Sequence, residues 1–491
     1  MKSASKFEKF AARSWNLLNE GKPFTPIFTI GTMVLFHIGD LGSAGRFTEF
    51  LFALLTVLPL FIMYFIYDFP LFLRNYLWIP FIVFIVIWPD LNLSLLLFAA
   101  GLYFFFTVFF WGTFYYHLRI GTSWLNFTRF WKLVLKNSDS TSGNAQEQLP
   151  KFLLLLSVWE LSYTAISGGS GLPLADLAIF YGFILLFAFI LHKYLFDWKP
   201  KAYETYTKDE GPDVPQNGLS DKVIVIVIDG MRKERFYEAN TPFLDQLKEN
   251  GTEYLNMETL YPARTVVCFS SMFTGTYPFE HGIKSNMVYK LGVNTETIFD
   301  SLRKVGKRGR LLGIAHLVDA MGSDVETVTA VMHKDKADTN MLARARKIMD
   351  EQDPDMFVVQ MIGTDQVGHS RGVLYDDYIE KIEEADALIK EFVEWLEAEG
   401  KMENTTLVVC ADHGQADGIG GHGHLDEGER FVPFFMHGPH IRKGNKVQEK
   451  HSLVSLAPTI SYLMGAPYPA SSRGKVLMDA IKAEKEENEF E

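Results

Sequence analysis

Four short stretches in the C-terminal part of the chain hold side chains of metal-ligand type. Asp229 closes Val227-Ile228-Asp229-Gly230. Asp365 and His369 stand in Gly363-Thr364-Asp365-Gln366-Val367-Gly368-His369. Asp412 and His413 stand in Cys410-Ala411-Asp412-His413-Gly414, and His422 and His424 follow in Gly420-Gly421-His422-Gly423-His424. Carboxylate and imidazole together suit hard or borderline divalent cations. Three aspartates and three histidines suffice for two ions with open positions. Two ions held about 3.5–4 Å apart can stabilise both the attacking and the leaving oxygen in a displacement at phosphorus. Thr265, in Tyr261-Pro262-Ala263-Arg264-Thr265-Val266-Val267, is the candidate nucleophile. A threonine hydroxyl attacks poorly near neutral pH, and a neighbouring divalent cation activates it without a separate base. A helix predicted to begin beside Thr265 would place backbone donors near phosphoryl oxygens.

The elements that must position these groups follow from apolar patterning. Residues 223–228 and 406–411 are unbroken aliphatic runs, the mark of strands covered on both faces. Further strands are expected at 310–315, 356–361 and 431–436. Helices are expected at 241–250, 294–305, 338–352, 375–399 and 452–464. In the long 375–399 segment Ile379, Ile382, Ala385, Leu388, Ile389, Phe392 and Leu396 recur at helical spacing, and its acidic residues form a solvated face. Alternation of this kind predicts an α/β domain with a parallel sheet sandwiched by helices. Groups just past the C-terminal ends of such strands face the ligand crevice, so all four stretches are expected at one sheet edge.

Taken in order, these residues resemble the alkaline phosphatase superfamily, most closely its type I phosphodiesterase/nucleotide pyrophosphatase branch. The resemblance covers residues 221–478. It rests on Val-Ile-Asp-Gly at 227–230, Thr-Pro-Phe-Leu-Asp-Gln-Leu at 241–247, and the stretch from Tyr261-Pro262 to His281-Gly282-Ile283. Asp365-x-x-Gly368-His369, Asp412-His413-Gly414 and Leu456-Ala457-Pro458-Thr459-Ile460 complete it. The resemblance implies an alkaline-phosphatase-like fold and two divalent ions, zinc or else manganese. One ion would be held by Asp229, Asp412, His413 and Thr265. The other would be held by Asp365, His369 and His422, with His424 as the alternative third ligand. Asn286 matches the family's phosphate-binding asparagine. The expected activity is phosphodiester hydrolysis through a phospho-threonine intermediate. Residues 362–369 are also similar to the ethanolamine-phosphate transferases of glycolipid-anchor synthesis, so headgroup transfer is the alternative. A membrane protein with a vestigial hydrolase domain is a further one.

The remainder of the chain has a different composition. Residues 1–200 hold 14 Lys/Arg and 11 Asp/Glu; of the chain's 47 and 59, that leaves 33 and 48 for residues 201–491. An acidic globular part argues against nucleic acid as its partner. Apolar runs lie at 26–42, 47–67, 76–89, 91–116, 151–167 and 174–195, and a spanning helix needs about 20 apolar residues. Residues 1–198 are therefore expected to form a multipass membrane domain of five or six helices, with no cleavable leader, facing membrane lipids. Residues 199–221, polar and rich in Pro and Gly, read as a linker, and residues 222–491 as the metallohydrolase domain. Basic residues before the first run and between the fourth and fifth place both at the cytoplasm. Six spans would then leave the catalytic domain inside the cell. Five spans, with 151–167 lying at the surface, would leave it outside, the side that the family resemblance favours. Residues 124–132 (Trp-Leu-Asn-Phe-Thr-Arg-Phe-Trp-Lys) form an amphipathic segment suited to the headgroup region. Cys268 and Cys410 are expected as buried thiols, not a disulfide framework. His37, His117, His192, His333, His437 and His440 are expected at surfaces or interfaces.

Overall fold

A computed structural model of the chain describes residues 21–67, 69, 71–129, 145–195, 211–288, 290–328, 336–417, 421–423 and 426–482, with residues 6, 10, 14 and 17 near the N-terminus. The chain divides into two compact units. One comprises Leu17–Tyr115 and Phe130–Lys199; the other comprises Met1–Asn16, Tyr116–Arg129 and Pro200–Glu491. The stretch 116–129 thus groups with the C-terminal part, although membrane-type runs flank it in sequence.

The first unit is helical. Among the described residues, four helices are long and apolar enough to cross a membrane: Ala44–Ile66, Leu93–Leu118, Ala145–Ser167 and Leu174–Leu195. The runs expected at 26–42 and 76–89 form the shorter helices Gly21–Phe36 and Trp78–Ile87. Ala145–Ser167 is the most enclosed, with 61% of its apolar window buried against 28–33% for the other three. The polar side chains of this helix face partners within the unit. Glu160 accepts from Asn92 at 2.9 Å and faces His37 Nε2 at 3.5 Å. Lys151 pairs with Glu147 at 2.5 Å, both buried. Polar groups of this kind are tolerated among apolar helices only where neighbouring helices satisfy them.

Among its described residues, the second unit contains a nine-stranded sheet. Its strands are β1 Lys222–Ile228, β2 Thr252–Glu258, β3 Gly309–Gly313, β4 Val325–Thr327 and β5 Met356–Met361. They continue with β6 Thr405–Cys410, β7 Phe431–Val432, β8 Phe434–His437 and β9 Asn445–Ser452. The order is β4-β3-β5-β1-β6-β8-β2-β7, with β9 beside β2. β1 is central and parallel to both β5 and β6, with Ile228 opposite Met361 and Val227 opposite Cys410. This register brings the C-terminal ends of the three strands side by side. Residues 223–228 of β1 are fully buried, as a strand with no polar alternation requires. Burying each such side chain contributes about 1.5–3 kcal/mol before entropy is counted.

The sheet is mixed, which corrects the expectation of a parallel one. β8 runs antiparallel to β6, and β2 antiparallel to β8 and β7. The run expected as one strand at 431–436 is split by Pro433, which has no N–H to give to a ladder. The carbonyl of Pro433 instead accepts from Ala411 N at 3.1 Å, just before Asp412. The polar strands β2 and β9 lack an apolar run, and β9 is the charged edge that discourages further pairing. The expected helices are present as Pro242–Glu249, Ile298–Lys304, Ala337–Glu351, Asp376–Ala398 and Leu456–Met464. Ile382, Ala385, Ile389, Phe392 and Leu396 of Asp376–Ala398 are fully buried.

Candidate metal and catalytic site

The site lies past the C-terminal ends of β1, β5 and β6. Asp229 follows β1 directly. Its Oδ2 accepts from Gln360 Nε2 at 2.6 Å, while its buried Oδ1 has no hydrogen-bond partner. Asp412 follows β6. Its Oδ1 accepts from Gly230 N at 3.2 Å and from His413 N at 3.0 Å, while its buried Oδ2 is also without a partner. His413 is fully buried, with Nδ1 2.9 Å from the Gly414 carbonyl. That contact turns Nε2 toward Asp229 Oδ1 at 3.5 Å and Asp412 Oδ2 at 3.4 Å.

Thr265 is the first residue of the helix Thr265–Thr274. Its Oγ1 lies 3.3 Å from His413 Nε2. Asn286 Oδ1 accepts from Val266 N at 3.0 Å, which directs the amide's donor end away from that backbone. Asn286 is thereby tied to the residue next to Thr265.

The second cluster sits on the helix Gly363–Arg371, which follows β5. Asp365 and His369 are one turn apart, and His369 Nε2 lies 3.2 Å from Asp365 Oδ1. His422 Nδ1 is 2.8 Å from the Ala263 carbonyl, so its Nε2 points to His369 Nε2 at 3.1 Å and to Asp365 Oδ1 at 3.8 Å. The rings of His413 and His422 stack with centroids 4.0 Å apart, joining the two clusters. Asp229, Thr265, Asp365, His369, Asp412, His413 and His422 therefore form one continuous group. His424 lies outside the described residues, as does His333.

The donor set fits divalent cations. Asp229, Asp412 and His413 offer ligand atoms within 4.8 Å of one another, and so do Asp365, His413 and His422. Buried polar atoms without partners are costly, and Asp229 Oδ1 and Asp412 Oδ2 are two of them aimed into the same space. Burial pushes the Asp229 carboxyl well above the usual carboxylate range, and repulsion from Asp412 and Asp365 adds to it. Burial likewise raises Asp412. Burial acts to raise Asp365 too, but His369, His422 and His413 outweigh it and hold this carboxyl below the usual range. Burial keeps His422 below the ordinary imidazole range, with neighbouring His413 acting the same way. A bound cation would relieve the carboxylate repulsion and engage the neutral imidazole.

Four positioning residues were missed in the sequence. Gln360 is the polar interruption in Met356-Phe-Val-Val-Gln360-Met361, a signal that was available. Gln415 follows Asp-His-Gly and donates from Nε2 to Asp365 Oδ1 at 2.7 Å. Tyr378 Oη donates to the Gly230 carbonyl at 2.5 Å and accepts from Arg232 N at 3.0 Å. Asp338 accepts from Ile362 N and Gly363 N at 2.7 and 3.0 Å, capping the helix that carries Asp365 and His369. It arrives from the helix Ala337–Glu351, and nothing in its local sequence signals the role. Gln415 also accounts for two motif glycines. A Cβ at Gly368 would fall 1.9 Å from its Oε1, and one at Gly230, where φ is +67°, would fall 2.9 Å from its Nε2. Replacing Gln415 by Leu is expected to weaken divalent-ion binding about 10–100-fold, because Asp365 loses the donor that orients it. Titrating metal into chelator-stripped protein checks this, and wild-type affinity would count against it.

Three of the described histidines expected at surfaces or interfaces have partners of their own. His37 faces Glu160, His437 Nδ1 lies 3.1 Å from the Asn250 carbonyl, and His440 Nε2 lies 3.0 Å from Asn404 Oδ1. Cys268 and Cys410 are buried free thiols, and burial pushes both above the usual thiol range.

Residues 223–459 match the family model of type I phosphodiesterase / nucleotide pyrophosphatase. Mouse ectonucleotide pyrophosphatase/phosphodiesterase family member 1 is 24% identical over 244 residues, which is 45% of this chain and 27% of that protein. The catalytic subunit of human GPI ethanolamine phosphate transferase 3 is 30% identical over 148 residues, which is 30% of this chain and 13% of that protein. Each match spans less than a third of the relative's own length. Among solved structures, murine ectonucleotide pyrophosphatase/phosphodiesterase 5 aligns with 53% of this chain and 100% of its own, at 14% identity and a TM-score of 0.46. The resemblance carried by the motifs thus agrees with the family-model match over residues 223–459, on a chain with four candidate spans among its described residues.

Proposed function

We propose that this chain is a membrane-anchored phosphodiesterase whose nucleophile is Thr265 and whose substrate is a phosphodiester of a lipid or lipid-linked headgroup. The observation that carries the reading is the position of Thr265 Oγ1, 3.3 Å from His413 Nε2 at the rim of a buried cluster of carboxylates and imidazoles. Asp229, Asp412 and His413 would hold one divalent ion beside Thr265; Asp365, His369 and His422 would hold the other. Two such ions, when bound, supply positive charge for the attacking and leaving oxygens. The protein's own groups do the rest. Thr265 Oγ1 forms the bond to phosphorus as the bond to one ester oxygen breaks, and in net terms its hydroxyl proton leaves with the departing alcohol. Asn286, anchored on Val266 N, presents its amide donor to a non-bridging oxygen. Water then cleaves the bond between phosphorus and Oγ1, releasing a phosphomonoester and restoring the threonine.

A second reading replaces water by an alcohol acceptor, giving headgroup transfer. It is favoured by the similarity to the GPI ethanolamine phosphate transferases. One experiment separates the readings. Purified protein in lipid nanodiscs is given phospholipids, nucleotides and bis(p-nitrophenyl) phosphate, with and without chelator and an added alcohol. Chelator-sensitive release of a monoester supports hydrolysis, and a product carrying the added alcohol supports transfer. Metal-replete protein inert toward every diester would remove both.

A further inference from the structure

We infer that Trp124, Leu125 and Phe127, together with Leu374, form a surface by which the catalytic unit rests on lipid headgroups beside the helix that carries Asp365 and His369. The inference deepens the proposed function and rests on it for the substrate class alone. It begins with the amphipathic segment expected at 124–132, of which residues 124–129 are described.

The polar side of this segment is fastened to the catalytic unit. Asn126 is buried, and its Nδ2 donates to the Ser370 carbonyl at 2.5 Å. Ser370 is the neighbour of His369 in the last turn of Gly363–Arg371, where carbonyls lack an intrahelical donor. Arg129 Nη1 lies 2.8 Å from Asp377 Oδ2, and its guanidinium sits 4.5 Å above the Tyr375 ring. Arg371 reaches the same carboxylate at 3.7 Å. The segment is thus clamped to the end of one ligand-bearing helix and the start of the next.

Its apolar side points the other way. Trp124, Leu125 and Phe127 are 47%, 71% and 40% exposed, and Leu374, beside Tyr375, is 47% exposed. Polar groups inward and large apolar groups outward invert the usual surface of a soluble domain, and such patches mark an interaction site. Chain continuity identifies the occupant. The candidate span Leu93–Leu118 ends six residues before Trp124, and six residues extend at most about 20 Å. Aromatic side chains with an arginine close to a span's end have the composition of an interfacial segment. A lipid surface meeting these residues would present phosphodiester headgroups near His369.

The test has a physical and a kinetic arm, both on the full chain in lipid nanodiscs. Leu125→Cys is labelled with an environment-sensitive nitrobenzoxadiazole probe; native Cys268 and Cys410 are buried. Lipids carrying a doxyl quencher near the carbonyl are expected to quench the probe, with aqueous iodide having little effect. Iodide quenching without doxyl quenching overturns the inference and points instead to water or a soluble protein partner at this face. In the second arm Trp124, Leu125 and Phe127 are all changed to Ser. The ratio of the rate on a phospholipid to that on bis(p-nitrophenyl) phosphate is expected to fall at least about tenfold. An unchanged ratio overturns the inference, including the case in which both rates fall together through misfolding. If neither diester is cleaved by the parent protein, the proposed function fails while the quenching arm still decides this surface.

Discussion

Replacing Thr265 by Ala is expected to lower turnover of any accepted diester by at least about 10³-fold, because the group that forms the covalent bond is gone. Bound divalent metal should stay near the wild-type amount. Asp229, Asp412 and His413 surround the same space without help from the hydroxyl, their ligand atoms lying within 4.8 Å of one another. The substitution removes only a small side chain at the start of a ten-residue helix whose other residues are buried, so the fold should survive. Thr265→Ser keeps a hydroxyl at the same backbone position and should recover part of the rate. Steady-state kinetics with metal analysis on the three proteins checks this. Activity of Thr265→Ala close to wild type would show that the nucleophile is another group.

The second large effect concerns the carboxylates. Asp229 and Asp412 are buried together, and both are shifted upward by burial, Asp229 also by repulsion from Asp412. A carboxyl raised in the folded state binds its proton more tightly there than in the unfolded chain. Metal-free protein should therefore lose stability as pH rises from the ordinary carboxylate range toward neutrality. Metal opposes this, and at 100 times its dissociation constant it stabilises the fold by about 2.7 kcal/mol. Asp412→Asn keeps an acceptor for Gly230 N and His413 N but removes one charge. Stripping metal should lower the melting temperature of the wild type at pH 7.5 and leave Asp412→Asn nearly unmoved, while the variant's activity falls at least about 10²-fold. A chelator effect of equal size in both proteins would show that Asp412 does not hold the ion.

The part of this site legible in the sequence is the part lying directly past apolar strands. Asp229 and Asp412-His413 end unbroken aliphatic runs, and the parallel register of β1 with β6 sets them side by side. Asp365 and His369, spaced one helical turn apart after β5, were legible for the same reason. What supports them was hidden, because it comes from elsewhere in the chain. Asp338 caps the Asp365 helix from 24 residues before Ile362, and Asn126 reaches Ser370 across 244 residues. Neither spacing has a periodic signature. β2 was missed because it lacks an apolar run, and β7 and β8 were read as one strand because Pro433 interrupts an otherwise apolar stretch. In the helical unit, the apolar run at 151–167 lies within the helix Ala145–Ser167, whose polar groups pair inside the unit.

The central claim is covalent attack by Thr265. Its most direct measurement is mass spectrometry of the Thr265 peptide after rapid acid quench during turnover of a diester. Expected is a fraction of that peptide heavier by the retained phosphoryl group and its remaining ester, with fragmentation placing the added mass on Thr265 and no such species in Thr265→Ala. Robust turnover with an unmodified Thr265 peptide at every quench time, or the added mass on another residue, would contradict it.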